Sequence, residues 1–296
     1  MDQPPSGLDR PARFRLLVVL PLLAAGLIWT WWPSLRDMVN RWSDDPRYSH
    51  GFLVPVFALF LLWTRRGELA ARPLDSNAWG VGLIAAGAAA KLAAARYYLP
   101  WFEAASLLPC LAGLALLVGG RTAFAWAGPA VAFLLFMIPL PYRVEMALGY
   151  PLQRVATVSS NYALQTMGMP AVAEGNIILL DDIKIGVVEA CNGLGMLFTF
   201  VAFAVGVALV IRRPLLDKVI LILSAAPIAL LANVTRITVT GVLYKMVSNR
   251  VADAVYHDLA GWLMMPLALV AIWAELLLLQ HLFVEPAAPR PRPVGL

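Results

Sequence analysis

The sequence predicts an all-α protein, a polytopic transmembrane bundle of about eight spans with a small extracytoplasmic β-hairpin and a surface helix. Three observations carry that reading. Of 296 residues, 60% are hydrophobic and only 14% are charged, where a soluble domain carries about 25% charge. Apolar runs approaching the ~20 residues that a bilayer requires recur along the chain. The basic residues gather in short loops between those runs, so the net charge of +5 sets topology and calls for no nucleic acid. Ten Trp and eight Tyr suit anchoring at the two membrane interfaces, and several fall at the ends of apolar runs.

Arg10, Arg13 and Arg15 lie around the start of an apolar run over 14–32. The run is long for a signal-peptide core and closes on Trp29, Trp31 and Trp32, so it reads as a retained first span. Further spans are expected at 51–64, 78–95, 104–119, 122–138, 190–210, 216–239 and 259–279, the second and fourth being short. The third is rich in Gly and Ala, which favours close helix contacts, and its Lys91 is expected to snorkel to an interface. Cys110 lies within an apolar run and reads as a small buried hydrophobe. Two cysteines make no disulfide framework. The chain thus divides into a cytoplasmic segment (1–13), five spans (14–138), an extracytoplasmic helix and hairpin (139–189), three spans (190–280) and a Pro- and Arg-rich disordered cytoplasmic tail (281–296).

Orientation follows from arginine and lysine. With the N-terminus cytoplasmic, that side receives Arg10, Arg13, Arg15, Arg65, Arg66, Arg72, Arg121, Arg212, Arg213, Lys218, Arg290 and Arg292, 12 of the 23 basic residues. The opposite side has fewer, spread over longer loops. Both termini are therefore expected in the cytoplasm.

Three outer segments follow. The first, 33–50, ends in Tyr48-Ser49-His50-Gly51 at the second span. The second, 139–189, opens on Pro139-Leu140-Pro141 and contains a helical stretch over 144–167, expected along the membrane surface. After it, Ile178 and Leu180 alternate on one side of Asp181-Asp182, and Ile183, Ile185 and Val187 on the other, the pattern of a hairpin over 175–188. The third segment, 240–257, is a short amphipathic piece with Lys245, Arg250 and Asp253.

The hairpin feeds into Glu189-Ala190-Cys191-Asn192-Gly193, where a polar segment meets a long apolar one. Cys191 stands near a helix N-terminus, where unpaired N–H groups and the helix dipole favour a thiolate. A small buried hydrophobe is the plain alternative. Arg236 lies near the outer end of the seventh span and His257 just before the eighth, so three consecutive spans bring Cys, Arg and His to one membrane face. An arginine at membrane depth is costly, although one near an interface can snorkel. The three types have matching roles. A thiolate attacks an amide carbonyl to form a thioester, a histidine moves the proton to the leaving amine, and an arginine holds the oxyanion or the thiolate. The sequence leaves hydrolysis and transfer to another amine both open.

Metal ligation would need a third ligand beside Cys191 and His257, for which His50 is the one candidate. No cofactor is expected, since Gly-x-Ser-x-Gly, Gly-x-Gly-x-x-Gly and P-loop patterns are absent. A transporter would carry charged or broken segments nearer the membrane middle, where Lys91 and Pro227 are the only hints. A non-enzymatic integral-membrane subunit of an exopolysaccharide assembly or protein export complex fits composition and span count equally.

Ala190-Cys191-Asn192-Gly193-Leu194, Ala232-Asn233-Val234-Thr235-Arg236-Ile237 and His257-Asp258-Leu259-Ala260-Gly261-Trp262, with Tyr48-Ser49-His50-Gly51-Phe52, resemble the exosortase branch of the exosortase/archaeosortase family over roughly 20–280. The resemblance implies a multi-pass bacterial inner-membrane cysteine transpeptidase or endopeptidase whose site faces the periplasm. Its catalytic residues would be Cys191, Arg236 and His257, with Asn192, Asn233, His50 and Asp258 in support. Its substrates would be exported proteins with a C-terminal sorting signal (PEP-CTERM-like) and a transmembrane tail. They would be cut through a thioester and passed to a surface lipid or polysaccharide acceptor. Archaeal relatives usually carry a second arginine where His257 stands, so His257 points to the bacterial branch. Asn192 departs from the Ser or Thr that often follows the cysteine in relatives. Its amide can also donate near an oxyanion or cap the helix.

Overall fold

The computed structural model describes residues 18–70, 74–181, 183–187, 193–246 and 260–282. Helices dominate, with one small antiparallel sheet. The stretches 100–137 and 215–246 are long and apolar enough to cross a membrane, and Leu194–Val210 and Pro266–Leu278 are shorter apolar helices. This is the helix content of an integral membrane protein.

Helix α1 (Leu20–Asp44) takes Pro21 in its first turn, where a missing N–H costs nothing, and continues through Pro33. The outer loop expected over 33–50 is therefore helical for most of its length. Hydropathy reports which residues meet lipid, whereas a helix runs on through polar sequence until something stops it. Here Pro46 stops it by holding Asp45 in an extended conformation. The Asp45 side chain then accepts the Arg47 N–H and starts a 3-10 turn, Pro46–Phe52. Helices α2 (Leu53–Thr64) and α3 (Arg66–Ala70) follow.

Helices α4 (Trp79–Arg96), α5 (Pro100–Ala105) and α6 (Leu107–Phe133) form the first half of the bundle. Within α6, Gly120 breaks the helix at φ 67° and ψ −157°. The two arms overlap the stretches 104–119 and 122–138. The first arm packs antiparallel on α4, so closely that a Cβ on Gly87 would lie 2.4 Å from the Cys110 Sγ. Cys110 is fully buried there, in the packing role its surroundings predict. The second arm runs back along α2, where Trp126 Nε1 donates to the Leu62 carbonyl at 3.1 Å and the Phe57 and Phe133 rings stand 5.0 Å apart. The Lys91 side chain is largely covered and pairs with Glu103 on α5, the next helix. Trp31, whose Nε1 donates to the Glu103 carbonyl and to Ser106 Oγ, both at 3.1 Å, ties α1 to the same corner.

A 3-10 turn (Leu134–Met137) leads to α7 (Tyr142–Thr166), close to the predicted 144–167. Glu145, Gln153, Thr157 and Ser160 are buried, while Tyr142, Val144, Leu148, Tyr150, Val155, Val158 and Tyr162 are exposed. The surface helix is thus inverted, its polar stripe facing protein. Strands β1 (Ala171–Glu174), β2 (Ile177–Leu180) and β3 (Ile183–Gly186) form a meander. The expected hairpin is β2–β3, with Leu180 paired to Ile183. Strand β1 is an addition, joined to β2 through the two-residue loop Gly175-Asn176 with Gly175 at φ 63°. Ile178, Leu180, Ile185 and Val187 pack on Ala156, Leu164 and Ile237.

Helices α8 (Leu194–Val210), α9 (Leu215–Met246) and α10 (Ala260–Leu282) complete the chain. Met196, Phe200, Ala204 and Ala208 meet Leu221, Ala225 and Ala229 of α9, with Ala268 and Ile272 of α10. Helix α9 continues beyond the predicted 239, so the first part of the segment 240–257 is helix rather than a separate piece. The sheet covers this extension, setting Ile185 Cδ1 3.4 Å from a Cβ placed on Gly241.

Candidate functional site

Of the residues singled out by sequence, Cys191, Asn192, His257 and Asp258 lie outside the described residues. Arg236, Asn233 and His50 are described, and all three stand at the end of the bundle where α8 begins.

Gly193 immediately precedes α8 at φ 67°, a backbone conformation that suits glycine. A Cβ on it would lie 3.1 Å from the Asn233 Nδ2. Asn233 is fully buried on α9, and its Oδ1 accepts from Arg236 Nη2 at 3.1 Å. The start of α8 and the polar turn of α9 are therefore in contact. Cys191 precedes Gly193 by two residues in the sequence. His257 is three links from Ala260, the start of α10, and α10 packs on α8 and α9 and touches the 46–52 turn.

That turn forms the opposite wall. A Cβ on Gly195 would lie 2.9 Å from the Arg47 Cα, so the first turn of α8 rests directly on Arg47 backbone. One turn deeper, Thr199 Oγ1 donates to the Gly195 carbonyl at 2.8 Å and stands 3.3 Å from His50 Nδ1. His50 is 3% exposed. Burial pushes its pKa down to about 4, against opposing hydrogen bonds with the Phe136 and Arg47 backbone, so the ring is neutral at neutral pH. Its ring meets Thr199 within this wall.

Arg47 is clamped. Its Nε and Nη2 donate to Asp45, with Nη2 2.7 Å from Oδ2, and its Nη1 reaches Glu145 on α7. Arg41 Nη2 approaches Glu145 Oε2 at 3.9 Å. Burial alone would raise the Asp45 carboxyl, but the hydrogen bonds and charge of Arg47 hold it below the usual range. Burial, followed by the charge of Glu145, raises the Tyr48 hydroxyl to about 12. Arg47, Tyr48, Glu145, Leu194, Gly195 and Phe198 line one narrow gap. The polar stripe of α7 continues past it. Gln153 Oε1 accepts from Asn176 Nδ2 at 3.0 Å, and Ser160 Oγ donates to the Val234 carbonyl at 3.3 Å, next to Asn233.

The site thus has three described walls: the polar turn of α9, the inner stripe of α7 and the 46–52 turn. Sequence reasoning missed Arg47, Glu145, Thr199 and Gly195. Glu145 carried a signal, being the one acidic residue in a long helical stretch. Among the described residues no group of three or more His, Cys, Asp or Glu could hold a metal ion.

No curated protein and no solved structure matches the chain significantly. Residues 42–274 match the family model described as Transmembrane exosortase (Exosortase_EpsH), and this span takes in all three walls.

Proposed function

The chain belongs to the transmembrane exosortase family, and from that premise we propose that it is a membrane-embedded cysteine transpeptidase or endopeptidase acting on C-terminal sorting signals of exported proteins. Family membership carries a sorting-related role in the membrane. The finer chemistry rests on one observation, the contact of Gly193 with Asn233, which in turn holds Arg236. That contact supports a reading in which Cys191, two residues before Gly193, works beside the guanidinium that Asn233 holds.

In this reading Cys191 is the nucleophile. Its thiolate attacks the scissile carbonyl, Arg236 stabilises the oxyanion, and the amine leaves with a proton from His257, producing a thioester. An acceptor amine, or water, then releases the acyl group. Asn233 positions Arg236, and Asn192 and Asp258 stand in support. His50 supports the site from the outer wall through Thr199. The bundle comprises eight spans with both termini in the cytoplasm of a bacterial inner membrane and the site facing the periplasm. The domain divisions at 13, 138, 189 and 280 follow that scheme. Support comes from the pairing of ends: Arg65, Trp126 and Gly120 share one end, and Trp42, His50, Glu145 and Gly193 share the other.

Co-expression with a protein carrying a C-terminal transmembrane tail and basic end, followed by mass spectrometry of its new C-terminus, tests this. Cys191→Ala is expected to abolish tail removal with membrane insertion intact, and Cys110→Ser to leave it unchanged. A new covalent acceptor at the cut end identifies transfer, and a free carboxylate identifies hydrolysis. Full processing by Cys191→Ala, or an intact tail on a bound partner, turns the reading toward an assembly subunit.

A further inference from the structure

Ser34, Asp37, Met38 and Arg41 recur at the spacing of one helix face, and that face of α1 borders a cavity of about 480 Å³, a size that admits a small ligand. Helix α5 and the linker 138–142 close its other sides. Ser34, Met38, Ala104 and Ile138 form a buried floor, while Asp37, Arg41, Leu99, Phe102 and Tyr142 are exposed at the mouth. The polar groups of the floor are satisfied within the protein: Ser34 Oγ donates to Glu103 Oε1 at 3.2 Å, and Glu103 pairs with Lys91. Those of the mouth are different. Asp37 makes no ion pair or side-chain hydrogen bond among the described residues. The Arg41 guanidinium lies over the Tyr48 ring at 5.7 Å, and its nearest carboxylates, Asp45 and Glu145, stand at 4.0 and 3.9 Å. Both carboxylates are already bonded by Arg47.

The mouth therefore presents one anion and one cation a helical turn apart, about 6 Å along α1. A phosphate and the ammonium two carbons beyond it can bridge that spacing. A wholly anionic group fits less well, because Asp37, Asp44 and Asp45 line the open hollow next to the cavity. The surroundings select an amphiphile over a water-soluble ligand. Leu99 and Phe102 separate the cavity from a second, apolar groove of about 360 Å³, walled by Ala90, Ala93 and Ala94 of α4. Exposed Tyr97 and Tyr98 stand beside it, the aromatic residues expected where headgroups meet acyl chains. A charged mouth and an alanine-walled apolar groove, joined at the same two side chains, match a phospholipid's head and tail.

We propose that this cavity holds a phosphoethanolamine-headed phospholipid of the surrounding leaflet, its phosphate on Arg41, its ammonium on Asp37 and an acyl chain along the α4 groove. The lipid ties α1 and α5 to the linker that starts α7. Its amine is engaged by Asp37, so it is a bound ligand and not a reactant, and the inference is independent of the cysteine chemistry. The test reconstitutes the full-length protein in phosphatidylcholine nanodiscs with a small share of phosphatidylethanolamine carrying a diazirine in its acyl chain. Photolysis is followed by mass spectrometry of the labelled peptides. Labelling is expected to concentrate on 90–106 and 138–142. Unlabelled phosphatidylethanolamine should compete it away more effectively than phosphatidylglycerol or further phosphatidylcholine. Arg41→Gln and Asp37→Asn are each expected to lower it about threefold, the range for an exposed ion pair. Asp37→Asn should also abolish the preference for ethanolamine over choline, which a merely structural aspartate would leave unchanged. Asp37 has no ion pair to lose, so this variant decides the matter even where Arg41→Gln fails to fold. Labelling spread evenly over the lipid-facing helices, equal competition by all three lipids, or a parent-like pattern in Asp37→Asn would each overturn the proposal. Stronger competition by phosphatidylglycerol would overturn it in favour of a purely anionic lipid.

Discussion

The Arg236 side chain is oriented by an amide that is itself buried: Asn233 Oδ1 accepts from Nη2, and Asn233 can turn little against Gly193. A guanidinium held in this way keeps its planar fork in a fixed orientation, whereas a lysine offers one mobile ammonium. Arg236→Lys is therefore expected to lose ~100-fold or more in tail-processing rate, the range for one oxyanion donor, with expression and thermal midpoint near those of the parent. A rate within a few-fold of the parent would remove Arg236 from the oxyanion role. His50 is a different kind of residue, buried as the neutral ring. Its folded pKa of about 4 lies below the ordinary 6.5. Below 6.5 the unfolded chain binds a proton that the folded one refuses, so the stability His50 contributes is full above that pH. It is lost as the pH falls toward 4. The loss can reach ~3 kcal/mol. Thermal midpoints between pH 7.5 and 4.5 should fall more steeply for the parent than for His50→Asn, and parallel curves would show that this histidine does not titrate there.

Among the elements, α7 departs furthest from a simple surface helix. Its apolar residues face outward and its polar ones inward, which is an economical arrangement only if lipid lies outside and polar partners inside. Two glycines, one on α7 and one on α8, test the packing. Gly149 is buried in the middle of α7, yet nothing lies within 4 Å of a Cβ placed there. Gly149→Ala is expected to raise stability by up to ~1 kcal/mol through helix propensity. At Gly195 the added methyl would meet Arg47 backbone at 2.9 Å, and backbone cannot swing aside. Gly195→Ala is expected to lower the thermal midpoint and to slow Cys191 labelling together, since it pushes the start of α8 off the 46–52 turn. A neutral Gly195→Ala would mean that the turn and α8 are not in contact.

At the scale of the whole molecule, the helices alternate between two ends. Helix α8 runs parallel to the turn and α2, meeting Arg47 at Gly195, His50 at Thr199 and Phe57 at Gly206, and antiparallel to α9. Reporter fusions after Arg213 and after Asn249 are accordingly expected to report opposite compartments, the second periplasmic. Matching signals would mean that α9 does not cross the membrane.

Much of this organisation is local and was legible in residue order. The apolar runs mark the helices, because burial in lipid depends on composition. The alternation around Asp181 marks β2 and β3, because side chains on a strand point to opposite faces. The four motif segments identify the family. The Gly175-Asn176 loop was readable too, as a two-residue hairpin turn, and would have revealed β1. Tertiary structure decided the rest. That Lys91 pairs with Glu103 depends on how α4 and α5 fold against each other. That α7 turns its polar stripe inward depends on Arg47, which is distant in sequence from Glu145. That Gly193 meets Asn233 depends on α8 and α9 packing antiparallel. Each is a contact between residues on different elements, and sequence periodicity reports only the face a residue occupies, not the neighbour it meets.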